Sequence, residues 1–192
     1  MTPEEFRRDA GDFLDISDRL GDAWELKSVK NRLEEEVPFL LKRGTKVSSA
    51  EKIFSIEFHV TYHVSYQVPV LGFEAFASDG SSVRHEDVWK LLKIEEKPKD
   101  FFSVLTQMDH PALFRPIWTL HPCRTAEILE SVTGNRIVAF LSAVGPSVGL
   151  SLDLAYGILR KFCTLSKSIN DNSALQNHLN SFCGKTEKLV TS

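Results

Sequence analysis

From Phe54 to Val68 every even position is apolar or aromatic (Phe54, Ile56, Phe58, Val60, Tyr62, Val64, Tyr66, Val68), while the odd positions from Ser55 to Gln67 carry Ser, Glu, His, Thr, His, Ser and Gln. Successive side chains of a β-strand point to opposite faces, so a period of two predicts one long amphipathic strand with a single face on a core. Pro69 cannot donate to a β-ladder and marks the far end as an edge, a turn or a strand start. Val70 to Phe76 reads as the next strand, and Ser78-Asp79-Gly80-Ser81 as the turn after it. Upstream the period lengthens. Phe6, Ala10, Phe13, Leu14 and Leu20 form a helical stripe ending near Gly21. Thr2 stands as its cap, Pro3 at the first helical position and Glu5 three residues after the cap, which is the spacing of a capping box. Trp24 and Leu26 suggest a short extended piece, and Val37 to Arg43 a strand closed by Gly44. Downstream, Ser82 is placed to cap a helix through Val88, Trp89, Leu91 and Leu92. Residues 94–116, with Pro98, Pro111 and Pro116, read as irregular, and Ile117 to Leu120 as a short strand. Asn135 to Val144 and Leu152 to Phe162 read as helices, the second capped by Ser151. Helix, then strands, then helices predicts an α+β fold with a mostly antiparallel sheet.

Composition narrows the class. A chain of 192 residues with 42% hydrophobic and 10% aromatic side chains can bury a real core and suits one domain. That domain is expected at 1–164, followed by a Ser/Asn/Lys-rich, weakly ordered tail at 165–192 with a short helix around Ala174 to Phe182. A net charge of -3 argues against nucleic acid as the main partner. Charge is uneven: residues 1–22 hold seven acids against three arginines, and residues 160–192 hold five bases against Asp171 and Glu187. Both ends read as solvated surface, with docking of protein partners as the functional alternative. No apolar leader opens the chain, and the longest uncharged run, Ile137 to Leu152, is shorter than the ~18 apolar residues of a membrane span. Three cysteines at no zinc-like spacing suggest a reducing, cytoplasmic setting.

Three constellations carry candidate chemistry. His59 and His63 have the spacing of a helical zinc pair, but on a strand they stand roughly 13 Å apart. Two histidines on a polar sheet face are therefore expected, and no metal. Pro122-Cys123 begins a zinc-deaminase signature, yet the residue three positions after Cys123 is Ala126, and His85-Glu86-Asp87 has the wrong spacing. The third candidate is Cys123 itself. Cys163, between Phe162 and Leu165, fits a buried thiol, and Cys183 an inert one in the tail. Cys123 follows a short apolar strand, is pinned by Pro122, and has His121 and Arg124 beside it as sources of positive charge that favour thiolate. Such chemistry leaves an inert thiol, a carrier nucleophile and a cysteine hydrolase all open, the last with His110, His121, His59 or His63 as base.

Trp118-Thr119-Leu120-His121-Pro122-Cys123, together with Tyr62-His63-Val64-Ser65-Tyr66-Gln67-Val68-Pro69-Val70-Leu71 and Ala143-Val144-Gly145-Pro146, resembles the autophagy family of ubiquitin-like-conjugating enzymes. The likeness spans most of residues 6–156. It implies a ubiquitin-conjugating-type α+β fold with an N-terminal helix, an antiparallel sheet of about four to six strands, the cysteine in a loop beyond it, and C-terminal helices. It implies that Cys123 carries the ubiquitin-like protein Atg-twelve as a thioester. The donor is the activating enzyme autophagy-related protein seven, and the acceptor a lysine of autophagy-related protein five; no cofactor is involved. Ordinary ubiquitin-conjugating enzymes place His-Pro-Asn some residues before the cysteine, and no such tripeptide occurs here. In the family this resembles, the residue two before the cysteine and a sheet tyrosine stand in, matching His121 and Tyr66, with Tyr62 as the lesser candidate. Tyr66 shares the core-facing parity of Phe58 and Val60, so simple packing is its alternative. His110-Pro111 is expected to shape a loop over the site. The acidic first helix and an exposed edge near Val68–Phe76 are candidate docking elements, the edge through strand addition. The alternatives are the sibling enzyme of the lipid-linked ubiquitin-like system, which carries a long acidic insertion absent here, and a non-catalytic binding module of the same fold.

Overall fold

Helix α1 (Pro3–Leu20) starts as its spacing demands: Thr2 accepts from the Glu5 N–H, the Glu5 carboxylate accepts from the Thr2 N–H, and Pro3 occupies the first turn. It stops at Gly21, whose φ of 65° is the left-handed conformation that closes helices and that glycine adopts without steric cost. The computed structural model describes residues 1–31, 34–49, 52–92 and 104–158. Two compact units, Met1–Asp153 and Leu154–Ser192, divide the chain, and every element named below belongs to the first. The expected tail with its short helix lies outside the described residues, as does Cys163. The helix expected from Leu152 begins only at residue 155, and its continuation past 158 also lies outside them.

After α1 come β1 (Trp24–Lys30), β2 (Glu36–Ser49), β3 (Lys52–His63) and β4 (Val68–Ala77), then α2 (His85–Leu91), β5 (Leu105–Asp109), β6 (Pro116–Leu120), α3 (Thr125–Leu129) and α4 (Arg136–Val144). The strands form one sheet in the order β1-β2-β3-β4-β6-β5, with every neighbouring pair antiparallel. The even residues of β3 face the main core as the alternation requires. Ile56, Phe58 and Val60 stand opposite Ala75, Phe73 and Leu71 and are essentially inaccessible. Phe6, Ala10, Phe13 and Ile16 of α1 and Ile137, Phe140 and Leu141 of α4 complete the buried apolar set. Each Val, Leu, Ile or Phe side chain among them stabilises by about 1.5–3 kcal/mol relative to exposure.

Five expectations need correcting. Gly44 does not close its strand: β2 shifts register between Lys42 and Thr45 and runs on to Ser49. The long alternating run is two strands: β3 ends at His63, Val64–Gln67 turn, and β4 begins at Val68. Hydropathy alternates straight through the turn, which is why the pattern alone hides it. Pro69 is tolerated inside β4 because β6 pairs only at Gly72 and Phe73, beyond it. Even so β4 is not an edge strand, since β3 pairs along it on one side and β6 joins it at Gly72 and Phe73 on the other. Residues 94–116 are not wholly irregular. Leu-Thr-Gln-Met-Asp is too short and polar to announce itself, and becomes β5 by pairing along β6 from Leu105 opposite Leu120 to Asp109 opposite Pro116. Finally, α2 starts after Arg84 without a side-chain cap, and Ser82 instead bridges back to Phe76.

Charge on α1 is not all solvated. Asp9 is buried, and its carboxylate accepts from both the Arg136 Nε (3.1 Å) and the Arg136 backbone N–H (3.2 Å). The Glu5 carboxylate takes the Arg136 Nη1 at 3.1 Å, and the Asn135 amide donates to the Asp9 carbonyl at 2.5 Å. This cluster ties α1 to the start of α4, the helix that packs against α3 behind the Cys123 loop.

Candidate functional site

Strand β6 delivers the chain to His121, after which Pro122–Arg124 form one 3₁₀ turn and α3 follows. Pro122 is buried at the first position of that turn, where its missing N–H removes no hydrogen bond. Cys123 is exposed and unbonded to any other sulfur. The Cys123 backbone N–H donates to His121 Nδ1 at 3.2 Å, so the imidazole caps the turn carrying the thiol. An Nδ1 that accepts carries no proton, so the ring's N–H is on Nε2. That Nε2 lies 3.5 Å from the Tyr66 hydroxyl, with the two rings edge-to-face at 5.6 Å between centroids.

Tyr66 reaches His121 because it sits in the β3–β4 turn and not in a strand. It is 42% exposed and Val64 75% exposed, so the even parity does not place either in the core. Gln67, at φ 54°, closes the turn, and its N–H donates to the His63 carbonyl at 2.8 Å. Tyr62 is a packing residue. Its hydroxyl donates to the Met1 carbonyl at 2.9 Å and its ring lies 5.9 Å from Phe6, while burial and the nearby Glu4 and Glu5 push its hydroxyl pKa upward. The structure thus brings Cys123, His121 and Tyr66 together and sets Tyr62 aside. The exposed Arg124 guanidinium pairs with Glu127 at 3.3 Å.

His63, one of the candidate bases, stands beside Tyr66. Its Nδ1 accepts from the Tyr66 backbone N–H at 3.3 Å, and its ring meets the Tyr66 ring at 4.9 Å and 66°. The relevant signal, a side-chain acceptor three residues before a turn N–H, is invisible while 54–68 is read as one extended strand.

His59 is not on a polar face, and His110 shapes a loop as expected, one that lies over His59. His59 is 2% exposed, stacked on Phe39 and covered by the loop between β5 and β6. Phe39, Leu41 and Ala112 make a small second core there, so this sheet face is not uniformly polar. His110 Nδ1 accepts from the Ala112 and Leu113 N–H groups at 3.1 Å each, so His110 shapes its own loop. Its proton is therefore on Nε2, 3.3 Å from His59 Nδ1, to which it donates. Burial, reinforced by His110, Arg115 and Arg43, pushes the His59 pKa down to about 3, and burial with Arg115 pushes that of His110 down to about 4.

Among the described residues, Glu57, His59 and Glu74 bring ligand atoms within 4.8 Å of one another. The donor set does not fit a cation well. The hydrogen-bond order leaves a proton, not a lone pair, on His59 Nε2, which points toward Glu74 (3.7 Å) and Glu57 (4.0 Å). Both carboxylates are already matched, Glu74 by a two-pronged Arg115 and Glu57 by Arg43 at 3.2 Å.

Residues 5–154 match the family described as autophagocytosis associated protein, active-site domain. The human ubiquitin-like-conjugating enzyme ATG10 is 30% identical over 200 residues, an alignment covering 79% of this chain and 90% of the human protein. A protein of the same description from Arabidopsis thaliana is 31% identical over 117 residues, about half of each chain. The crystal structure of the autophagic E2 Atg10 shares the fold, with a TM-score of 0.54 at 17% identity over 78% of this chain and 97% of that one. With the family match running across α1, the whole sheet and the Cys123 loop, the chain belongs to the ubiquitin-like-conjugating enzymes of autophagy and is a conjugating transferase.

Proposed function

We propose that Cys123 carries the ubiquitin-like protein Atg-twelve as a thioester and passes it to a lysine of autophagy-related protein five in the cytoplasm. The observation that carries this reading is the run of contacts from Tyr66 through His121 to the backbone of an exposed, free cysteine. In loading, the Cys123 thiolate attacks the carbonyl of the thioester held by autophagy-related protein seven; one C–S bond forms and the donor thiolate leaves. In transfer, the lysine nitrogen attacks the same carbonyl, giving a tetrahedral oxyanion. Collapse breaks the C–S bond, the Cys123 sulfur leaving with the electron pair, and the proton given up by the amine passes to that sulfur or to solvent. His121 keeps an N–H on Nε2, directed to the side where Tyr66 lies, and a donor of this kind stabilises an oxyanion by about 3 kcal/mol. Tyr66 adds a hydroxyl that orients the His121 ring or the incoming amine. Neither loading nor transfer as written calls on a cofactor, and no helix among the described residues is long and apolar enough to cross a membrane.

The test is reconstitution with activating enzyme, ATP and the ubiquitin-like protein. A covalent adduct that thiol reductant removes is expected, becoming reductant-resistant in Cys123→Ser. Survival of the labile adduct in Cys123→Ser, with its loss in Cys163→Ser or Cys183→Ser, overturns the assignment. Absence of any adduct supports a binding module instead, and loading with the lipid-linked ubiquitin-like protein in place of Atg-twelve supports the sibling enzyme.

A further inference from the structure

We infer that His63 is a positioning residue for the transfer step, holding Tyr66 against His121 by capping the β3–β4 turn; this rests on the catalytic reading of His121 and Tyr66 above. The turn is four residues long, and its ends are already secured without His63's side chain. Gln67 N–H donates to the His63 carbonyl, and the Met1 nitrogen donates to the Gln67 carbonyl at 3.0 Å. What these bonds leave free is the orientation of Tyr66 itself, an exposed side chain that would otherwise sample several rotamers. Two contacts restrict it. His63 Nδ1 takes the Tyr66 N–H at 3.3 Å, fixing the backbone from which the ring departs. The His63 and His121 rings then stand on the phenol edge-to-face, at 4.9 Å and 5.6 Å. Such aromatic contacts are individually small, but two of them with a cap suffice to choose among rotamers of similar energy.

The same device recurs along the chain. His63, His110 and His121 each accept with Nδ1 from an N–H two or three residues on, as Asn and Asp do in turns. At His110 the cap presents Nε2 to His59, and at His121 it presents Nε2 to Tyr66. His63 extends the pattern: its cap presents a neighbouring tyrosine instead of its own far nitrogen.

This role makes a specific demand. Asn places Oδ1 the same number of bonds from the backbone as His Nδ1, so His63→Asn retains the acceptor and loses the ring, whereas the acceptor of Gln is one bond too far. Protein loaded at Cys123 is isolated and its discharge to acceptor followed in single turnover. His63→Ala is expected to load within about twofold of the unaltered protein and to discharge several-fold more slowly, with His63→Asn recovering most of the rate and His63→Gln little. The double variant His63→Ala/Tyr66→Phe should be no slower than Tyr66→Phe. A second readout needs no loading: hydrogen exchange at the Tyr66 amide should be faster in His63→Ala and His63→Gln and protected in His63→Asn. Should His63→Ala fail to fold, the Asn and Gln variants make the comparison. Discharge by His63→Ala at the unaltered rate, additive slowing in the double variant, or an unprotected Tyr66 amide in the unaltered protein overturns the proposal. Failure of the unaltered protein to load instead strikes the thioester reading, and leaves the amide measurement to decide the cap.

Discussion

The buried pair His59–His110 makes an acid-sensitivity prediction whose size follows from the structure. Both rings are neutral in the folded protein near neutral pH, with pKa values pushed down to about 3 and about 4, against an ordinary value of 6.5. Below 6.5 the unfolded chain takes up a proton on each ring that the folded protein refuses. Their contribution to stability is therefore fully present above pH 6.5 and is lost progressively as pH falls toward the folded values. At pH 5 the unfolded state gains roughly 1.36 kcal/mol per pH unit over 1.5 units, or about 2 kcal/mol per histidine. That figure barely depends on the folded pKa, provided it lies well below 5. Carboxylates, ordinarily titrating near 4.5, add little in this window. Urea unfolding at pH 7.5 and pH 5.0 should therefore show the protein losing about 4 kcal/mol through this pair. His110→Gln should start less stable at pH 7.5, because the loop cap is weakened, yet lose about 2 kcal/mol less on acidification. If His110→Gln and His59→Gln lose as much as the unaltered protein between the two pH values, the pair is not neutral in the fold. Glu57 and Glu74 would then outweigh Arg43 and Arg115 in holding a proton on His59.

His121→Ala removes both the turn cap and the Nε2 donor, and discharge from loaded enzyme should slow on the order of 10²-fold with loading far less affected; His121→Asn, which can accept and donate in the same loop, should lie nearer the unaltered rate. Tyr66→Phe should likewise load and then discharge slowly, and equal loss of loading in both would indicate damage to folding or docking. Asp9→Ala leaves the Arg136 backbone N–H and much of its guanidinium without a partner in a partly buried place, and should cost about 3 kcal/mol in chemical denaturation. A loss under 1 kcal/mol would show the cluster to be solvated. At Gly145 an added Cβ would stand 2.6 Å from the Leu150 carbonyl, whose own N–H is bonded to the Gly145 carbonyl, so Gly145→Ala should destabilise by about 1–3 kcal/mol, read as a lowered melting temperature.

Much of this protein is local, and local features are legible in the chain. The capping box at Thr2–Glu5, the stop at Gly21, the alternation from Phe54 to Tyr62 and the helix ending at Val144 depend on neighbours a few residues away, so their residue types state the outcome. His121-Pro122-Cys123 is local in the same sense, so a cysteine pinned by Pro122 is legible there, while the thiol's exposure and the 3₁₀ turn belong to the structure. What only the tertiary structure decided are pairings between distant segments. β5 exists because β6 satisfies its backbone, and His59 is buried because a loop fifty residues away folds over it. Tyr66 lies beside His121 only because the sheet order sets the β3–β4 turn next to the end of β6. Hydropathy reports which face of an element is apolar. It cannot report that an alternating pattern has reversed direction in space, and on that reversal at Val64–Gln67 the composition of the site depends.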